Sequence, residues 1–123
     1  MSYFSVLEES ATEYIVQKSR FITYIKPVTD EEVAKEFIET IRKKHWDASH
    51  NVPVYLIGEK MKIQRFSDDG EPSGTAGMPV LDMLKKEGIT NIVVVITRYF
   101  GGIKLGKGGL VRAYTHSAKI GLF

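Results

Sequence analysis

The sequence predicts an α+β fold, a two-layer sandwich in which a mainly antiparallel sheet carries helices on one face. Three observations carry the prediction. Apolar residues recur at helical spacing in the stretches 33–41 and 80–84, and strand-like runs lie between them. Residues 92–96 are five consecutive β-branched apolar residues, the mark of a strand central in its sheet and covered on both faces. The chain has 123 residues, 43% of them hydrophobic, which is enough for one core and one domain. The run 92–96 fits a sheet with helices on one face imperfectly. It calls for a cover on the open face: a partner subunit, a further domain or a ligand.

The elements follow in order. Residues 3–7 read as a short strand. Residues 12–16 and 21–25 read as two strands joined by Lys18-Ser19-Arg20. That is a weak turn signal, so one long kinked strand remains open. Thr29 and Glu32 have capping-box spacing before a helix. Its stripe is Val33, Ala34, Phe37, Ile38 and Ile41, with Arg42, Lys43, Lys44 and His45 at the end where cations suit the helix dipole. Residues 52–57 and 62–66 read as a hairpin turning at 58–61, with Pro53 near a strand start. The stretch 67–77 is almost all turn-forming residues, a long loop for a small domain. Pro79 suits the first turn of a second helix, and Gly88 suits the position just past its end.

After the strand at 92–96 come five glycines in nine positions, Gly101, Gly102, Gly106, Gly108 and Gly109, with Lys104 and Lys107 among them. Leu110, Val111 and Tyr114 then open a third helix. Strand, glycine-rich loop and helix bring backbone N–H groups and a positive helix end together, which attracts anions. Arg98, Lys104, Lys107 and Arg112 supply formal charge, and the five glycines supply backbone access. The spacing matches neither the P-loop nor the dinucleotide fingerprint, and tight turns alone would also account for the glycines. Charge is lopsided as well. Residues 91–123 hold five Lys or Arg and no acid, while the remaining twelve basic residues face all fifteen acids. The two parts carry +5 and −3 of the net +2, so a polyanionic partner suits the C-terminal third.

Other chemistries have weaker support. The absence of cysteine excludes disulfides, thiol nucleophiles and the usual structural zinc. Asp68, Asp69 and Glu71, with Ser67, Ser73 and Thr75 nearby, could serve a divalent cation in a hydrolase or phosphotransferase. The three acids lie too close in a turn-forming sequence to converge easily, so no metal and no cofactor are expected. Hydroxyls in such a loop more often bond to turns. His45, Asp47 and His50 lie close in sequence and would hold zinc only with a further ligand from Asp69 or Glu71; more simply, His45 is a helix-end cation and His50 bonds locally ahead of a strand. Trp46, Tyr99, Phe100 and Tyr114 are candidates for stacking on bases, with core packing as the alternative. No apolar run approaches ~20 residues, so no membrane span is expected. The opening residues lack a leader pattern, so a cytoplasmic location is expected.

Four stretches resemble the IMPACT/YigZ family: Lys18-Ser19-Arg20-Phe21-Ile22, Asp47-Ala48-Ser49-His50-Asn51, the run from Arg65-Phe66-Ser67-Asp68 through Gly74-Thr75-Ala76-Gly77, and Val95-Ile96-Thr97-Arg98-Tyr99-Phe100-Gly101-Gly102-Ile103-Lys104-Leu105-Gly106. The last two are specific, and the resemblance spans essentially the whole chain. It implies a single amino-terminal domain of that family over residues 1–123, with the fold of the second domain of a small-subunit ribosomal protein. It implies that the ferredoxin-like second domain of bacterial relatives is absent here. It also implies translation regulation, with RNA or a ribosome-associated protein as partner. The expected function is therefore a non-enzymatic binding module, with the hydrolase and a pure protein-interaction domain as rivals.

Overall fold

A computed structural model describes residues 3–123. Five strands and three helices alternate as β1 (Ser10–Val16), β2 (Ser19–Pro27), α1 (Glu31–Lys44), β3 (His50–Ile57), β4 (Ile63–Phe66), α2 (Gly77–Lys86), β5 (Ile92–Tyr99) and α3 (Gly106–Leu122). The strands form one sheet in the order β1-β2-β5-β3-β4, with every neighbouring pair antiparallel. The expected α+β class and antiparallel sheet are present, and β5 is central.

The expected layering needs correction, because the helices divide between the two faces. Side chains alternate along a strand. Ile92, Val94 and Ile96 join one core with Val80 and Leu84 of α2 and Leu110 and Tyr114 of α3. Val93 and Val95 join the other, with Ala34, Phe37, Ile38 and Ile41 of α1. The cover that the 92–96 run requires is therefore α1 itself, with no need of a partner, a further domain or a ligand there. The apolar stripe of α1 demands burial but does not say against which face.

Local signals account for most boundaries. The α1 cap is Asp30, one residue past the expected Thr29; its carboxylate accepts from the N–H groups of Glu32 and Val33. Val33 stays partly exposed at the edge of the stripe. The pair β1–β2 is a true hairpin in which Val16 faces Ser19, so Gln17 and Lys18 make a two-residue turn. Both have positive φ, 48° and 63°, the conformation such a turn demands and one that costs non-glycine residues energy. The 3–7 segment is not a strand; Phe4 makes a single parallel bridge to Ile89. Gly88, at φ +69°, ends α2 as expected.

Candidate nucleic-acid interface

The loop 67–76 comes before α2 and folds around its own polar groups. Asp68 accepts from the N–H groups of Gly74, Ala76 and Gly77, and so caps α2, whose own cap residue Ala76 offers no side-chain bond. Asp69 accepts from the N–H of Asn51. Glu71 runs inward instead. The three carboxylates thus serve three different partners. Among the described residues, no group of three or more His, Asp or Glu side chains is placed to hold a metal ion. Ser67 accepts from the N–H of Asp69, and Thr75 donates to the carbonyl of Pro72.

Glu71 and Arg98 form a buried ion pair, 7% and 4% exposed. Arg98 Nη1 donates to both carboxylate oxygens at 3.0 and 2.8 Å. Its Nε and Nη2 donate to Ser19 Oγ, and the guanidinium carbon lies over the rings of Phe21 and Phe100, 5.5 and 5.3 Å from their centres. The Tyr114 hydroxyl donates to Glu71, while His50 Nε2 lies 3.3 Å from it. Burial, then the Glu71 charge, raises the Tyr114 pKa far above its ordinary value. Arg98 is thus a charge expected at the loop surface but found inside, already compensated. Its position follows from β5 alternation together with an acid that lies far from it in sequence. Tyr114 is fully buried and so is closed to base stacking.

The glycine-rich segment is also differently arranged. The third helix begins at Gly106, so Gly106, Lys107, Gly108 and Gly109 are its first turn and not a preceding loop. Leu110 in the core and the partly buried Leu105 packed against it hold that turn in place. Leu105, the cap residue, offers no side-chain bond, and the first turn carries no acid. Its free N–H groups and Lys107 therefore present positive charge of the same sign. Gly101 serves close packing: a Cβ there would lie 2.0 Å from the carbonyl oxygen of Lys18 in the hairpin turn. Gly102 is exposed at φ +90°, with open space around it.

Two cavities meet at Lys104 and Leu105. A groove of about 520 Å³ runs between β1 and α3. Arg112, His116 and Lys119 line its helix side, spaced to share one face. Lys104 and Gly109 lie at one end, and Val16 and Ala113 contribute apolar surface. Tyr14 packs edge-on against His116 with ring centres 4.6 Å apart. The second cavity, about 500 Å³, is lined by Phe100, Leu105, Leu110 and Pro72, with His50, Glu71 and Arg98 as its polar part and Gly106 and Lys107 beside Lys104. Lys104, Lys107, Arg112 and Lys119 enter no salt bridge among the described residues.

Of the nine residues expected at the site, Arg98, Lys104, Gly106, Lys107, Gly109 and Arg112 line these cavities, and a Cβ at Gly108 would meet the Arg112 guanidinium at 3.3 Å. Gly101 and Gly102 do not line them. Tyr14, His116 and Lys119 went unassigned by sequence, although the spacing of Arg112, His116 and Lys119 by four and three residues marks a single helix face. A wall of cations beside apolar and aromatic surface suits an extended polyanion with flat bases. Among the described residues, no helix is long and apolar enough to cross a membrane.

On the α1 face, His45 links two tyrosines. The Tyr99 hydroxyl donates to Asp47 and so accepts from His45 Nδ1 at 2.7 Å, and His45 Nε2 shares a hydrogen bond with the Tyr24 hydroxyl at 2.6 Å. Burial first, and the Lys44 charge second, lower the His45 pKa. Trp46, next to it, is 81% exposed.

Comparison with known proteins gives a consistent picture. The profile described as the Impact N-terminal domain matches residues 17–122. The chain is 54% identical to the IMPACT family member YvyE of Bacillus subtilis over 98% of its length and 56% of that protein. It is 48% identical to the IMPACT family member YigZ of Escherichia coli, over 80% of this chain and 50% of that one. The chain therefore spans about half the length of these curated relatives. A crystal structure of a hypothetical protein superposes with a TM-score of 0.89 at 41% identity, covering 94% of this chain and 57% of that one. The two-domain translational regulator Yih1 shares the fold at a TM-score of 0.57 and 22% identity, over 94% of this chain and 43% of Yih1.

Proposed function

The chain belongs to the IMPACT family, and from that premise we propose that it is a binding module in translational regulation whose partner is RNA. Residues 1–123 act as one amino-terminal-type unit in this reading, in the cytoplasm and without catalysis. The observation that carries it is the β1–α3 groove, where Lys104, Arg112 and Lys119 line a single cavity with Tyr14. No acid lies in residues 91–123 to oppose them. A single strand laid there would exchange counterions for these side chains. Lys107 extends the same charge to the start of α3.

Filter binding of a short oligoribonucleotide over a salt series tests this. Affinity should fall as salt rises, with a log–log slope of about −0.7 per phosphate contact. Lys104→Ala, Arg112→Ala and Lys119→Ala should each make the slope shallower by about one contact while the fold stays intact. Unchanged affinity and slope in all three would remove RNA from the account. A second reading, a protein partner, draws on Trp46, which is 81% exposed. Tryptophan is enriched among the residues that carry most of the binding energy at protein interfaces. Capture of a ribosome-associated protein that survives nuclease and fails with Trp46→Ala would favour that reading.

A further inference from the structure

We propose that the second cavity receives one unstacked nucleobase of the strand whose backbone follows the β1–α3 groove. The inference rests on the groove reading above and adds what the pocket recognises. Lys104 and Leu105 line both cavities, so a backbone held at Lys104 passes the mouth of the second. At about 500 Å³ that cavity falls within the range of small-molecule sites.

Its walls suit a flat, weakly polar group. Phe100 is 48% exposed, yet its ring is held 5.3 Å from the Arg98 guanidinium. An exposed aromatic with one neighbour already stacked on it is a ready stacking platform. Leu105, Leu110 and Pro72 line the same space. Deeper in the pocket, the chemistry argues against a phosphate and for a base edge. Arg98 is neutralised by Glu71, and a phosphate brought to this pair would meet the carboxylate. Arg98 nevertheless keeps donor capacity. One Nη2 hydrogen goes to Ser19, and its second has no acceptor among the described residues. A ring nitrogen or carbonyl on a base edge supplies such an acceptor. Phosphate therefore stays at Lys104 and the base enters.

The test compares oligoadenylate with an abasic oligomer of equal length, using wild type, Phe100→Ala and Phe100→Tyr. Wild type should bind oligoadenylate about tenfold tighter than the abasic oligomer. Phe100→Ala should lose most of that factor, bind the abasic oligomer as wild type does, and keep the salt slope because no charge is removed. Phe100→Tyr should retain the factor. Phe100→Ala binding oligoadenylate like wild type, or losing equally on both oligomers, overturns the proposal and leaves the groove reading standing. If neither oligomer binds at low salt, the groove reading fails, and adenosine 5′-monophosphate judges the pocket alone. Amide shifts from Phe100 to Lys107 that vanish in Phe100→Ala then support it, and no shifts at millimolar nucleotide overturn it.

Discussion

Replacing Glu71 by Gln tests the buried ion pair on which both β5 and the 67–76 loop depend. The side chain keeps its shape and loses its charge. Arg98, 4% exposed, is then left without its counter-charge. Breaking a buried pair from one side costs about 3–5 kcal/mol. Gln retains one oxygen for either Arg98 or Tyr114, so the loss should lie near the lower end, about 3 kcal/mol. Glu71→Ala also strands the Tyr114 hydroxyl and opens a cavity, so about 5 kcal/mol is expected. Domains of this size have roughly 6–18 kcal/mol in total, so even the mild variant is badly weakened. Urea unfolding followed by far-UV circular dichroism measures the effect. Fluorescence is a poor probe, since the lone tryptophan, Trp46, is already 81% exposed when folded. Glu71→Leu combined with Arg98→Met should recover much of the loss, because an apolar pair of similar volume often replaces a buried ion pair without cost. A Glu71→Gln variant within about 1 kcal/mol of wild type would refute the reasoning, as would a double variant no better than Glu71→Leu.

Two further outcomes follow from other contacts. Burial, with Lys44 second, lowers the folded-state pKa of His45 below the ordinary value of about 6.5. The unfolded chain therefore binds the proton more readily. The contribution to stability is complete above about pH 6.5, declines as pH falls below it, and is lost as pH falls through the folded value. Urea midpoints from pH 7.5 down to about 5 should show this decline, and His45→Gln should flatten it; an unchanged profile in that variant would assign the dependence elsewhere. Gly101→Ala forces a Cβ to within 2.0 Å of the Lys18 carbonyl, where neither backbone can yield cheaply. It should cost about 3 kcal/mol, whereas Gly102→Ala, with open space and only φ +90° strain, should cost about 1 kcal/mol. Equal melting temperatures for the two would contradict the packing argument.

Most elements were legible because their signals are local. The α1 stripe, the β5 apolar run, the β3–β4 hairpin and Gly88 past α2 each express their role within a few residues. The start of α3 was misread because its first turn is glycine-rich, and what holds it, Leu105 and Leu110, is tertiary packing. The residues of the candidate groove were legible as charge but not as geometry. Lys104 and Arg112 line the β1–α3 groove, and Lys107 lines the cavity beside it. Arg98 has the same sequence signal but a different fate, because its partner Glu71 stands 27 positions away and only folding brings them together.

By itself the sequence determined that this chain forms an antiparallel α+β domain with a basic C-terminal third, since periodicity, apolar runs and charge are properties of neighbouring residues. Only the tertiary structure decided that α1 covers one face of β5 while α2 and α3 cover the other. It alone decided that Arg98 is buried as half of an ion pair, and that Tyr14 of β1 meets Arg112, His116 and Lys119 of α3 across one groove. Each of these depends on contacts between residues distant in the chain, and their energies appear only once the sheet has brought those residues side by side.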